Sequence, residues 1–173
     1  MFRLHRRQLG GDHTRGWVRA GDGRARGHAR PGWAEPAAGG PEGPRVLIES
    51  DDGAEATALV RVLERQGYRC AWCPGPGTTD ARDCPLVRDG CCPLVEGADA
   101  VVSTLSLEHA GCRQVLAAMA RSSPATPVVL AATPAGASRW SHHLTGRRVL
   151  QLPLTARGLL DALDAALGAD VSR

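Results

Sequence analysis

The chain has no lysine: all 21 residues in its Lys-plus-Arg total are arginine. With abundant alanine, glycine and proline, this reflects a GC-rich coding bias more than a functional demand. It also leaves no position that can supply an ε-ammonium group. Aromatic residues are scarce at 3%, so the core must be built from Leu, Val and Ala. No apolar run approaches the roughly 20 residues a membrane helix needs. No apolar segment follows the early Arg6-Arg7 pair either, which argues against a secretory or twin-arginine signal. The expectation is a cytoplasmic protein with no membrane contact, its six cysteines mostly reduced.

Charge is unevenly spread. The whole chain carries +3. Residues 1–44 hold eight arginines against Asp12, Asp22, Glu35 and Glu42, a net of +4, and residues 45–173 hold thirteen against fourteen acids, a net of −1. The second part is therefore not a basic nucleic-acid binder by charge. Residues 1–44 lack hydrophobic periodicity and are rich in Gly, Arg, Pro and His, so they cannot bury enough apolar area to offset chain entropy. They read as a disordered basic arm, Trp17 and Trp33 included. Any nucleic-acid contact is expected to be weak and confined to that arm. An upstream extension from a misassigned start codon would look the same.

The remainder is organised around residues 45–68. Arg45 to Ser50 is a short apolar run between a proline-glycine segment and an acidic turn, as expected of a buried strand. After Asp51, Asp52 and Gly53, a helical pattern places Ala56, Leu59, Val60 and Leu63 on one side and Arg61, Glu64 and Arg65 on the other. Gly67 ends that helix, and Tyr68 to Cys73 reads as a second strand. Asp99 to Leu107 is a third strand, central because its first half is apolar on both faces. Ala110 to Arg121 is a helix with Cys112, Val115, Leu116 and Met119 as its buried stripe. Pro127 to Thr133 is a fourth strand, and Ala135 to Leu144 a short weak helix carrying Trp140, His142 and His143. Arg148 to Leu152 is a fifth strand. Thr155 caps a last helix that runs to about Leu167 with Leu159, Leu160, Leu163 and Leu167 inward. Strands alternating with helices at this spacing predict one α/β domain over residues 45–168, a parallel sheet with helices on both faces, and a short tail at 169–173.

The segment 74–97 departs from this rhythm. It contains a small internal repeat, Cys84-Pro-Leu-Val-Arg-Asp-Gly and Cys92-Pro-Leu-Val-Glu-Gly, where a second long helix would otherwise fall. Its prolines and glycines make such a helix improbable. Cys70 and Cys73 form a C-x-x-C pair, but in a strand these positions face opposite ways. Cys70, like Cys112 on its helix stripe, reads as a small core residue. Cys73, Cys84, Cys91 and Cys92 stand apart because they gather in a segment without apolar periodicity. Four thiols there suit zinc or an iron–sulfur cluster, with His109, His142 or His143 as a further donor. The spacing C-x10-C-x6-C-C matches no standard metal pattern, however, and adjacent cysteines rarely reach one ion. A loop disulfide, a redox switch and inert thiols stay open beside the metal site, as does a thiolate-ligated haem at a Cys-Pro pair.

Five β-α units after an acidic turn resemble the receiver domain of bacterial response regulators. The resemblance is carried by Arg45-Val-Leu-Ile, Asp51-Asp52, Leu63-Glu-Arg-Gln-Gly-Tyr68 and Val149-Leu-Gln-Leu-Pro153-Leu-Thr-Ala-Arg-Gly-Leu-Leu160. It implies a doubly wound five-stranded parallel sheet of flavodoxin-like order 2-1-3-4-5. Receivers accept a phosphoryl group on an aspartate ending strand three, with two further acids holding Mg²⁺. They add a hydroxyl ending strand four and a lysine before a strand-five proline that follows a cis bond. Position by position, the acid pair falls on Ser50 and Asp51, with Asp52 as a substitute, and the acceptor on Thr104. The hydroxyl falls on Ala132, with Thr133 beside it, and the lysine on Leu152, while the proline is kept as Pro153.

A threonine without a base is a poor acceptor, and a leucine cannot hold its charge. The resemblance therefore implies a degenerate receiver that is no enzyme and holds no Mg²⁺. Its expected role is phosphorylation-independent signal transduction through a protein partner or a second copy of the chain. No output domain is expected after the last helix. A metal- or thiol-based sensor built on the cysteine segment is the alternative, and a phospho-accepting receiver the lesser one.

Overall fold

The computed structural model describes residue 33 and residues 43–76 and 81–168. The arm and tail expected from the sequence therefore lie outside the described residues, apart from Trp33, Gly43 and Pro44. Five strands form one parallel sheet in the order β2-β1-β3-β4-β5. They are β1 (Arg45–Glu49), β2 (Arg69–Cys73), β3 (Ala100–Ser103), β4 (Val128–Ala132) and β5 (Arg148–Gln151). This is the predicted doubly wound order. All four residues of β3 and all five of β4 are buried, as a strand covered on both faces requires.

The helices divide between the two faces. α1 (Gly53–Glu64) and α6 (Ala156–Gly168) cover one face, where Ala56, Val60, Leu63, Leu159 and Leu163 meet Val46, Ile48, Val102 and Val129. The other face is covered by α2 (Pro85–Arg88), α3 (Pro93–Glu96) and α4 (Ala110–Ser122), whose Leu86, Leu94, Val115, Leu116 and Met119 meet Leu47, Val101 and Leu130. The alternation along β1 follows the two-residue period of a strand, Val46 and Ile48 toward one layer and Leu47 toward the other. Among the described residues no helix is long and apolar enough to cross a membrane.

Several boundaries contract. The third strand, expected to reach Leu107, ends at Ser103, because beyond it the chain turns over the sheet to enter α4. The weak helix is split into α5 (Pro134–Arg139) and a 3₁₀ turn at Ser141–His143. The internal repeat resolves into two single helical turns, α2 and α3. Each has its cysteine at the N-cap, proline in the first turn and a buried leucine, Leu86 or Leu94. Proline suits a first turn, where its missing N–H costs no hydrogen bond, so the repeated Cys-Pro-Leu-Val is a helix start used twice. After α1, Gly67 turns the chain at φ +88°, a conformation other residues adopt only with strain.

Trp33 departs from the expectation of a free arm. It is half-buried against the α2–α4 side, and its indole Nε1 donates to Leu94 O at 3.1 Å.

Candidate functional site

In a parallel sheet wound both ways, the strand carboxyl ends open into a shared crevice. Here that crevice holds the residues the sequence singled out, several of them with defined partners. Ser50 follows β1 directly and is fully buried. Asp52 is the N-cap of α1: its Oδ1 accepts from Ala54 N at 2.7 Å and Glu55 N at 3.2 Å. A carboxylate there satisfies two free N–H groups and complements the helix dipole. Asp52 is thus the N-terminal cap of α1. Asp51 is exposed on the turn.

Thr104, at the acceptor position, follows β3 directly. Its N–H donates to Glu49 O at 2.8 Å, and its hydroxyl donates to Glu55 Oε2 at 2.5 Å. Ser50 Oγ donates to the same Glu55 oxygen at 2.8 Å. Glu55, in the first turn of α1 and absent from the sequence reading, therefore bridges the ends of β1 and β3 with its carboxylate. The signal was present in the pattern Asp52-x-x-Glu55, an N-cap followed three residues later by Glu. In a capping box that Glu bonds back to the cap N–H; here it reaches across the crevice.

The rest of the pocket follows the resemblance only in outline. Ala132 is buried and offers no hydroxyl. Thr133 has one, but it N-caps α5 by accepting from Gly136 N at 3.1 Å. Leu152 stands where a lysine was expected, half-buried, its N–H donating to Ala132 O at 3.1 Å. The Leu152–Pro153 bond is cis, as the resemblance implied.

These residues do not fit Mg²⁺. One acid is spent on a helix cap, another is bridged by two hydroxyls, and Asp51 alone is left. Mg²⁺ sheds its waters reluctantly and needs more than a single carboxylate to hold it. Among the described residues no group of three or more His, Cys, Asp and Glu side chains is arranged to hold a metal ion.

A second polar group lies beneath the crevice, on the α2–α4 side. Glu49 is 3% exposed, and its Oε2 has no hydrogen-bond partner; the fully buried Ser103 Oγ has none either. Burial pushes the Glu49 carboxyl up to about 7, against smaller downward pulls from the nearby Ser103 hydroxyl and the Arg147 cation. The hydroxyl exerts this pull without regular hydrogen-bond geometry. Around Glu49 stand the thiols. Burial, then the Glu49 charge, pushes Cys73 up to about 12, with smaller contributions from Cys84 and Cys92. Cys84 is raised by burial first, and burial pushes Cys112 up to about 11. Cys91 is exposed and belongs to neither core face. Cys73, Cys84 and Cys92 therefore pack on the same core face, with Cys73 and Cys84 within reach of the Glu49 charge, and Cys91 does not join them. Cys70 lies half-buried on the opposite face, as strand alternation requires.

Comparison with known proteins bears on the fold. No protein-family model matches the chain, and no curated protein matches it. Solved structures do. A CheY-like receiver domain from Methanospirillum hungatei superposes at a TM-score of 0.57 with 17% identity, over 75% of this chain and 97% of that one. A receiver protein from Sinorhizobium medicae gives 0.57 and 19%, over 74% and 97%. The receiver domain of an HD domain-containing protein from Pseudomonas fluorescens gives 0.56 and 20%, over 75% and 98%. The chain has the receiver-domain fold.

Proposed function

We propose that this chain is a receiver-like signal-transduction module of response-regulator type, cytoplasmic and without enzymatic activity, acting independently of phosphorylation. It works by binding a protein partner of a signalling pathway through the face formed by β4, β5 and the helices α5 and α6. The observation that carries this reading is the Glu55 bridge. Phosphorylation would place an anion at the end of β3; here a carboxylate already stands there, held by the Thr104 and Ser50 hydroxyls. An incoming phosphoryl group would meet Glu55 and Asp51 with no lysine to offset their charge, and such like-charge contact is unfavourable. The crevice is thereby set in one state by the chain itself.

Intact-mass analysis after incubation with acetyl phosphate and Mg²⁺ tests the reading. The expected result is an unchanged mass. A stoichiometric phosphate adduct, lost in Thr104→Val or Asp51→Asn, would replace it with the phospho-accepting alternative.

The gathering of Cys73, Cys84 and Cys92 on one core face favours a second reading, a thiol- or metal-based sensor in the 74–97 segment, with zinc or an iron–sulfur cluster as the cofactor. Since no metal-ligating group is assembled among the described residues, metal would have to draw these side chains together. Metal analysis of anaerobically purified protein, with a free-thiol count, decides it. One equivalent of metal with three protected thiols supports the sensor; six reactive thiols in unfolded protein and no metal remove it.

A further inference from the structure

Charge within the domain is segregated more sharply than its net of −1 indicates. From His109 to Leu160 the chain has six arginines and no Asp or Glu, whereas residues 45–108 hold six arginines and eleven acids. The fold collects much of the acid-free span at one side of the sheet: α4, β4, α5, the 3₁₀ turn and the edge strand β5.

The centre of that side is Trp140. The Arg113 guanidinium stacks 3.9 Å from its ring centroid and Arg139 lies at 5.2 Å. His142 and His143 stand 6.1 and 6.2 Å away, with their own rings 4.2 Å apart. Arg147 ties this cluster to α4 by donating to His143 O and to Leu116 O. The local potential is positive enough to act on its own members: His143 is held below the ordinary histidine range by burial, then by His142, Arg113 and Arg147. Two carboxyls face the group, the buried Glu49 near Arg147 and the exposed Glu108. Glu108 accepts from Trp140 Nε1 at 3.2 Å and pairs with Arg139 at 3.1 Å. Both members of that pair are at least half exposed, so it is a weak pair that a competing carboxylate can displace. On the edge strand β5, Val149 packs on the same core face as Trp140, whereas Leu150 packs on the opposite face and Arg148 is an exposed cation at the edge.

We infer that the Trp140 cluster and the β5 edge form a docking surface for an acidic protein segment. The inference rests on the partner-binding reading above and names the chemistry of the partner. Arginine forks match carboxylates in pairs, and a half-exposed indole with Val149 on the same face supplies the apolar anchor a protein contact uses. Nucleic acid fits less well. A phosphate polymer extends past the patch and meets the acidic half of the domain, which a short acidic segment need not reach.

The test uses the full chain and three fluorescent probes: a twelve-residue Glu/Asp-rich peptide, its Gln/Asn counterpart and a dT oligonucleotide. The expected result is saturable binding of the acidic peptide that weakens with salt. It should fall by about tenfold in Arg139→Gln/Arg148→Gln and in Trp140→Ala. The exposed double substitution leaves the core untouched, and circular dichroism verifies its fold. Equal peptide binding by the parent and the double variant would assign the effect to the arginines of residues 1–44 and overturn the inference. Preferential binding of the oligonucleotide, or self-association abolished by the same substitutions, would overturn it in favour of nucleic acid or a second copy. A failed peptide experiment leaves the acetyl phosphate result unaffected, so the two proposals fail separately.

Discussion

Thr104 and Glu55 are 49 positions apart in sequence, yet the threonine hydroxyl donates to the glutamate carboxylate at 2.5 Å. The contact closes the crevice between the ends of β1 and β3 where a receiver performs its chemistry. It joins the helix that follows the first strand to the residue that follows the third, so both must be in place before either side chain is satisfied.

That mutual dependence predicts energetic coupling. Thr104→Val keeps the side-chain volume but removes one donor to Glu55, and it is expected to destabilise the fold by about 1–2 kcal/mol. Glu55→Ala should cost a similar amount, and the double variant less than the sum by about 0.5 kcal/mol or more. Urea denaturation of all four proteins measures this. Strict additivity would mean that the bridge is not an energetic link.

Glu49 predicts an unusual pH response. Burial raises its folded-state pKa from the ordinary 4.5 to about 7, so between these values the folded state holds a proton that the unfolded chain releases. Stability is then lost as pH climbs from about 4.5 to about 7 and levels off above. Glu49→Gln keeps the shape and removes the titration. The variant should gain stability relative to the parent across that window, by up to about 3 kcal/mol. Parallel pH-dependent melts that never converge or diverge would show that Glu49 is ionised throughout.

The thiols should react in a definite order. Cys91 is exposed, whereas Cys73 and Cys112 are shifted far up by burial and stay protonated at neutral pH. Since the thiolate is the nucleophile, limited alkylation at pH 7.5 followed by peptide mapping should label Cys91 first and those two last. Early labelling of Cys73 would place an open path to the Glu49 cluster.

Gly97 predicts the attachment of Trp33. A Cβ built there would sit 2.2 Å from the Trp33 ring, closer than any real contact. Gly97→Ala should therefore displace the indole, break its bond to Leu94 O and red-shift tryptophan emission. Trp33→Phe, which lacks the N–H, should lose any such response to the alanine. An identical shift in both backgrounds would show that another tryptophan reports the change.

Much of this molecule is readable from side-chain periodicity. The stripe Ala56, Leu59, Val60 and Leu63 is buried as its spacing demands, and so is Cys112 with Val115, Leu116 and Met119. The two-residue alternation that separates Cys70 from Cys73 places them on opposite faces. These are local consequences of helix and strand geometry, and they need only one stretch of chain at a time. Leu160 and Leu167, which the helix pattern also places inward, pack against the same core and remain half-buried.

The site was legible as a set of absences. The missing lysine, the threonine in place of the acceptor and the proline at 153 could be read directly. Glu55 could not, because its role depends on how far α1 stands from the end of β3. Glu49 was hidden for a similar reason, since one acid in an apolar run gives no sign of whether its carboxyl reaches water. The same holds for Trp33, whose neighbours in sequence carry no apolar pattern. The amino-acid sequence by itself determined the order of strands and helices, their buried faces and the absence of lysine, all set by short-range pattern and composition. Only the tertiary structure decided which hydroxyls meet Glu55, which thiols meet Glu49 and which cations surround Trp140, because each joins residues brought together by the winding of the sheet.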